Sequence, residues 1–448
     1  MKWWAQAVSL ALAVLGFAVA LVPRNYSEEF TTGTRFRLVI WPRLLRFPIF
    51  WAGLALLAYI AVQGLNPAWT YVSNARGWWM QSRAHITWLP SGVDGPFFFG
   101  GGPWRTLIDY ASPWLVVCSL WIGFSRRRTV QYLLIALSIN GLALALFALT
   151  QRLTGARRIY WALPSPNPAF FGPFVYKNHA GAYLLLVLAL SFALASWYFL
   201  RGLRRLEKSN PAGLFVFFGA VAAVDIMISY ARGATITMVA FLAVAMISFV
   251  FYQFRHPTLL RKPIVLALLL VGFGAFLVTS LQTLAVNHAW NRMQKLFDET
   301  DLSISSRELA TAATWKMVQD HPWLGAGAGS FRYLFPRYQQ HYPEIYREGR
   351  QRLFWENAHN DLVQFPAELG IAGCAIFAFG FGFWAWRLCR AYFWENPLSL
   401  LVTAGLLLLV AHSWTDFLFE NPAVLITWCA LWPCITLWAE SEEMRLRG

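Results

Sequence analysis

The sequence predicts an all-α polytopic membrane protein with about eleven, at most about twelve, transmembrane helices. Of its 448 residues, 58% are hydrophobic and only 13% are charged. Apolar runs of roughly 18 to 22 residues recur along it, each long enough to cross a hydrocarbon core about 30 Å thick. The basic residues fall mostly in short clusters between those runs. The formal charge of +15 therefore reads as the positive-inside bias of a membrane protein, with membrane lipid and no nucleic acid as partner.

The runs cover approximately residues 3–22, 47–64, 106–123, 129–150, 179–200, 212–229, 233–254, 264–285, 358–386, 397–414 and 422–439. The first contains Ala18-Val19-Ala20, which resembles a signal-peptidase site, but the run is long and its basic flank is Lys2 alone, so a retained span is expected. Orientation follows from Arg35/Arg37/Arg43/Arg46, Arg126 to Arg128, Arg201/Arg204/Arg205/Lys208, Arg255/Arg261/Lys262, Arg387/Arg390 and Arg445/Arg447. These clusters fall on alternating connections and go to the cytoplasm. The outer face then receives residues 66–105, 151–178, the turn at Tyr230-Ala231-Arg232, one large loop at 286–357 and residues 415–421. A re-entrant piece at 38–51 would give twelve spans and a cytoplasmic N-terminus while leaving the later spans as they are. Residues 1–164 form an N-terminal transmembrane region and 436–448 a cytoplasmic tail. All five cysteines (Cys118, Cys374, Cys389, Cys429 and Cys434) lie in or beside apolar runs without CxxC spacing, so neither a disulfide nor a zinc site is expected.

Asn-Pro-Ala occurs at Asn66, Asn167, Asn210 and Asn421. Helix capping by Asn, with Pro at the first helical position, accounts for most copies without a pore. Residues 91–105, with Phe97-Phe98-Phe99-Gly100-Gly101-Gly102, read as an interfacial aromatic belt. At the outer end of a span, Lys177, Asn178 and His179 are suited equally to a lipid-linked phosphate and to a plain helix start with a snorkelling lysine. Arg232 stands in a very short outer turn between apolar runs. A charge there needs a partner, and a guanidinium offers phosphate two parallel donors, so substrate binding is favoured over a structural ion pair.

In the large loop, Asp298-Glu299-Thr300-Asp301 lacks further chelators and reads as a solvated acidic turn, so no metal is expected. Residues 306–319 read as an amphipathic helix with Arg307 at its beginning. Gly325-Ala326-Gly327-Ala328-Gly329 has no preceding strand and the wrong spacing for a dinucleotide loop, and is expected to be a tight backbone turn. His359, Asn360 and Asp361 stand at the mouth of the next span, with Gln364 and Glu368 on neighbouring helical positions. Histidine beside two candidate phosphate-binding arginines on one face points to catalysis.

Residues 165–435 resemble the O-antigen ligase and polymerase superfamily of bacterial inner membranes, with its Wzy-C-type domain. The resemblance is carried by Tyr176-Lys177-Asn178-His179, Ser229-Tyr230-Ala231-Arg232-Gly233, and Arg307 with Trp315 and residues 320–331. It continues through His359-Asn360-Asp361, Glu368-Leu369-Gly370-Ile371-Ala372-Gly373 and His412-Ser413-Trp414-Thr415-Asp416-Phe417. It implies a GT-C-like glycosyltransferase that moves glycan from undecaprenyl diphosphate to an acceptor hydroxyl on the periplasmic side, with no metal, nucleotide sugar or other cofactor. By position, Arg232 and Arg307 match diphosphate-binding arginines and His359 an essential loop histidine. Lys177, Asn178, His179, Asn360 and Asp361 are the further substrate-binding candidates.

Those residue types suit the chemistry. Displacing a diphosphate builds negative charge that arginines can stabilise, and histidine, with an ordinary pKa of about 6.5, can take the acceptor proton. In-line attack would invert the anomeric centre. The acceptor, whether lipid A-core, the next repeat unit or a protein, is not written in these motifs. A transporter of lipid-linked sugar is the reading from another class, and the gathering of polar residues at one face, away from the midplane, speaks against it. The expected topology has a direct check. A single cysteine introduced into residues 286–357, in a chain whose native cysteines are replaced, should react with a membrane-impermeant reagent in intact spheroplasts; reaction only after lysis would reverse the orientation.

Overall fold

Backbone in lipid has no water to bond to, so apolar runs satisfy their N–H and C=O groups as helices. The computed structural model describes residues 2–21, 40–97, 101–124, 126–206, 209–255, 302–345 and 354–447. In chain order these form α1 (Lys2–Leu21), α2 (Pro48–Leu65), β1 (Pro67–Asn74), β2 (Gly77–Ser82), β3 (Gly92–Asp94), α3 (Pro103–Gly123), α4 (Arg127–Leu153), α5 (Lys177–Arg205), α6 (Ala212–Ile228), α7 (Arg232–Arg255), α8 (Leu302–Asp320), α9 (Phe331–Gln339), α10 (Asp361–Arg390), α11 (Pro397–His412) and α12 (Pro422–Arg447). Ten of the expected spans overlap helices, nine of them with ends within about five residues, while the last runs on to Arg447 through most of the expected tail. The run at 264–285, the acidic turn at 298–301 and Phe98 to Gly100 lie outside the described residues. Among the described residues, seven helices are long and apolar enough to cross a membrane by length and composition, and α1, α6 and α11 supply shorter apolar helices.

A three-stranded sheet, in the order β2-β1-β3, adds to the expected helices. Its hairpin turns at Ala75-Arg76 between paired Asn74 and Gly77, where the Asn74 side chain accepts the Arg76 N–H at 2.8 Å. β-Branched and aromatic residues on both strands favour the pleat, and β3 joins β1 in parallel. The Asn-Pro-Ala copies also divide. Asn210 and Asn421 accept N–H groups at the starts of α6 and α12, and Asn167 closes a local turn. Asn66 at the end of α2 instead pins Ile86, accepting its N–H at 2.8 Å and donating to its carbonyl at 2.9 Å.

The chain divides into two compact units. One contains residues 1–127, 302–390 and 413–437, the other residues 128–301, 391–412 and 438–448. In the first unit, α1 lies along α3, where Gln6 donates to Asp109 at 2.7 Å and accepts from Arg105 at 2.7 Å. The sheet, α8, α9 and the start of α10 share one core containing Val93, Ala313, Met317, Phe331, Phe335 and Ala358. Arg337 lies over Trp69 at 4.7 Å. The polar segments that the sequence assigned to one face and that belong to this unit thus pack together.

The first unit is fastened at a break in α10. Gly370 takes φ 62° and ψ −173°, which removes the helical bonds across it. The loop after α8 replaces them: Ala326 and Gly327 donate to the carbonyls of Ala367 and Glu368, and Ile371 and Ala372 donate to those of Pro322 and Trp323, all at 2.8–3.1 Å. α2 completes the junction. The Tyr59 hydroxyl lies 2.6 Å from the Leu324 carbonyl, and buried Gln63 accepts from Ala328 at 2.9 Å. The expected tight turn at 325–329 is therefore present, and it is spliced into a membrane helix.

In the second unit, α5 is the central helix and is buried over most of its length. Gly219 of α6 faces Phe192 and Gly405 of α11 faces Ala189, and Ser138 of α4 bonds Ser191 at 2.8 Å. The splice makes a stability prediction. At Gly325, φ is +69° and a Cβ would stand 2.3 Å from the Glu368 carbonyl, whereas Gly382 has open space around it. Gly325→Ala should cost at least about 1–2 kcal/mol for the backbone alone, and Gly382→Ala should be neutral or better. Thermal unfolding of the two purified variants checks the difference.

Candidate active site

In the first unit the site is built where α10 begins. His359 holds a left-handed backbone, φ 53°, just before the helix. That conformation is costly for a non-glycine residue and is kept where the surroundings fix it. Here the Asp361 carboxylate accepts the N–H groups of Leu418 and Phe419 at 2.8 and 3.1 Å, while the Asp361 N–H reaches the Ser413 carbonyl at 2.9 Å. Asn360 precedes the helix, and its carbonyl receives the N–H groups of Val363 and Gln364. Both residues are almost fully buried, and Asp361 ties α10 to residues 413–419.

The imidazole of His359 sits edge-on between Trp355 and Phe417, with ring centroids 5.5 and 4.6 Å away. Its Nδ1 lies 3.3 Å from Asp416 Oδ1, with the histidine side chain 23% exposed and the aspartate 2%. Asp416 is itself fixed by the Phe417 N–H at 3.0 Å. Arg307, in the second turn of α8, donates to the Thr415 carbonyl at 3.2 Å. Consecutive residues Thr415 and Asp416 therefore bring Arg307 and His359 together. A histidine whose Nδ1–H points to a carboxylate presents a basic Nε2, the arrangement of a proton acceptor.

Below this point the helix is braced inward. Gln364 accepts the Ala358 N–H at 2.8 Å, and Glu368 accepts the N–H groups of Gly329 and Phe331 at 2.7 and 3.1 Å, capping α9 from another helix. Beyond α8, the Tyr338 hydroxyl donates to Asp320 at 2.9 Å. Partial burial and that bond hold the Tyr338 phenol above its usual pKa, so it remains a donor.

The second unit carries the other candidates. Gly181 in the second turn of α5 packs against Ala234 and Ala231 at the start of α7, and further along the same pair Phe192 meets Phe241. The N-termini of α5 and α7 therefore lie side by side, and each begins with a cation, Lys177 and Arg232. Helix N-termini carry positive partial charge, so each cation stands at the end of its helix where a positive charge is least favoured. Asn178 and His179 are both buried; Asn178 donates to the Tyr176 hydroxyl at 3.0 Å, and the Tyr176 and His179 rings meet edge to face. Arg232 follows a tight turn in which Tyr230 has φ 55° and the Ser229 hydroxyl accepts the Ala231 N–H at 3.2 Å. His412 from the end of α11 presses against Gly233.

The structure thus groups His359 with Arg307 in one unit and Arg232 with Lys177, Asn178 and His179 in the other. Asp416 and His412 are functional candidates that the sequence does not single out: the residues they contact lie 57 and 179 positions away, and no local pattern marks them. Among the described residues, no group of three or more His, Cys, Asp or Glu side chains is placed to hold a metal ion.

These features define a polytopic helical membrane protein with cationic and histidine-bearing candidate sites at its helix starts. Residues 215–378 match the family model described as O-antigen ligase, which supports the resemblance to the O-antigen ligase superfamily. The matched segment includes Arg232, Arg307, His359, Asn360 and Asp361, while Lys177 to His179 and Asp416 lie outside it. Among the curated proteins, none matches the chain.

The contact between His412 and Gly233 can be tested as a pair. A Cβ on residue 233 would stand 2.2 Å from His412 Nε2. Gly233→Ala should lower the unfolding temperature, and the loss should shrink in a His412→Ala background, because the pair couples only through that clash. Equal losses in both backgrounds would show that the ring does not constrain the turn.

Proposed function

We propose that this protein transfers a glycan from undecaprenyl diphosphate to an acceptor hydroxyl on the periplasmic side of the inner membrane, as a metal-independent, inverting glycan ligase with a GT-C-like fold. The observation that carries this reading is the His359–Asp416 pair, held at 3.3 Å beside Arg307. The O-antigen ligase match over the same helices supports it.

In this mechanism His359 takes the proton of the acceptor hydroxyl through Nε2. The oxygen attacks the anomeric carbon as the bond to the diphosphate breaks. Asp416 keeps the ring in the orientation that presents Nε2 and stabilises the charge the ring gains. The leaving diphosphate calls for guanidinium groups, whose paired donors fit phosphate oxygens; Arg307 is the candidate in the first unit and Arg232 the candidate in the second. Lys177 and the starts of α5 and α7 add positive potential for the donor headgroup. Asn178, His179, Asn360 and Asp361 shape these positions through their buried contacts.

A polysaccharide polymerase or a protein O-oligosaccharyltransferase would use the same residues with another acceptor. Deleting the gene separates the first two possibilities: accumulation of long lipid-linked polymer supports a ligase, and single lipid-linked repeat units indicate a polymerase. The normal lipid-linked pool in the deletion strain would leave neither.

The roles divide in purified enzyme. His359→Ala should reduce transfer about 10²- to 10⁴-fold with donor binding nearly unchanged. Asp416→Asn should lower kcat by less than that and leave donor affinity alone, since it acts through the ring. Arg232→Lys should keep partial activity where Arg232→Ala weakens donor binding severely, because lysine retains charge without the planar fork. A folded His359→Ala enzyme with near-normal turnover would remove the base assignment.

A further inference from the structure

Away from the candidate site, the first unit has an apolar groove of about 600 Å³ between α2 and α10, lined by Leu45, Trp51, Ala52, Ala375, Ile376 and Phe379, with Arg46 at its end. The volume falls within the roughly 300–1,000 Å³ of small-ligand sites. Its rims are open: Trp51 and Phe379 are each more than half exposed. The end marked by Arg46 is where arginines and aromatic rings of this unit gather. Arg43 and Arg387 lie over the Trp121 ring at 5.8 and 4.9 Å from its centroid, and Arg390 lies over Trp386 at 5.7 Å. Buried Phe47, stacked on Trp121 at 4.5 Å, makes the wall behind them.

Arg46 stands apart from this arrangement. Its side chain is exposed, and among the described residues its guanidinium has neither an ion pair nor a ring partner, while its backbone N–H is used by Pro42. The indole N–H of neighbouring Trp51 is also committed, to the Leu45 carbonyl at 2.8 Å. One unsatisfied cation at the end of an apolar channel between membrane helices has the chemistry of a phospholipid: an acyl chain lies along the groove and the phosphate meets the guanidinium.

We infer that this groove is a specific site for an anionic diacyl phospholipid, with the headgroup phosphate on Arg46 and one acyl chain along Ala52, Ala375 and Phe379. Charge complementarity selects that occupant. A zwitterionic lipid brings its own cation to the phosphate and gains less from Arg46, and a protein helix would leave the guanidinium without an anion. The site is separate from the residues assigned to glycan transfer, and its occupant is a structural or regulatory lipid, distinct from the donor.

The purified full-length chain, delipidated in detergent, can be titrated with phosphatidylglycerol and phosphatidylcholine and its bound lipid counted by native mass spectrometry. The wild-type chain should prefer phosphatidylglycerol by about fivefold, the size of one basic residue's contribution at an anionic lipid surface. Arg46→Gln should abolish the preference, and Ala52→Phe, which fills the channel, should weaken both lipids. Retention of the preference in folded Arg46→Gln overturns the headgroup assignment. Normal binding in Ala52→Phe overturns the channel. Displacement of phosphatidylglycerol by lower concentrations of a polyprenyl phosphate gives the groove to the donor's chain and also overturns the proposal.

Discussion

The splice between α10 and the loop that follows α8 is the constraint on which the first unit depends. Breaking a helix inside an apolar segment leaves backbone donors and acceptors that hydrocarbon cannot satisfy, and each such group costs several kcal/mol. At Gly370 the carbonyls of Ala367 and Glu368 and the N–H groups of Ile371 and Ala372 are the ones released, and the loop supplies a partner for every one. The Glu368 side chain then reaches further along the same loop to cap α9. Tyr59 and Gln63, one helical turn apart on α2, hold the loop from the other side. The two glycine-bearing segments, 320–331 and 368–373, are therefore two halves of one joint.

That joint fixes the part of α10 from which the site is built. With Ala358 bonded to Gln364 and Asp361 bonded to Leu418 and Phe419, the start of the helix has little freedom, and His359 can be held at a positive φ. Electrostatics in the second unit follow a different logic. Lys177 and Arg232 occupy the ends of their helices where a cation is least favoured. The close approach that brings those ends together needs residue 181 to lack a side chain, since a Cβ there would meet Ala234 at 2.4 Å.

The membrane helices were legible because hydropathy reports a solvent requirement that every residue of a span must meet. Local signals also carried the helix expected at 306–319, found as α8, and the capping by Asn210 and Asn421. The sheet was missed because its Trp- and Tyr-rich strands show no clean alternation and the two loop residues, Ala75 and Arg76, are not one of the usual hairpin pairs. Among the candidate residues, type and position singled out His359 and Arg307 in one unit and Arg232 in the other. The pairing of His359 with Asp416, 57 residues on, and the use of Thr415 to bring Arg307 alongside are tertiary facts with no periodicity to announce them. Asn360 and Asp361 stand out in the sequence because they are polar at a helix mouth; what the sequence does not announce is that both are buried and that the Asp361 carboxylate accepts the N–H groups of Leu418 and Phe419.

The broken helix also bears on biogenesis. The loop segment 322–327 is synthesised before α10, so the groups that complete the helix ladder exist before the helix that lacks them. Had the order been reversed, α10 would have entered the bilayer with its backbone bonds open at Gly370 and waited there for a partner. As the chain is written, membrane insertion of α10 and docking of the preceding loop can occur as a single step.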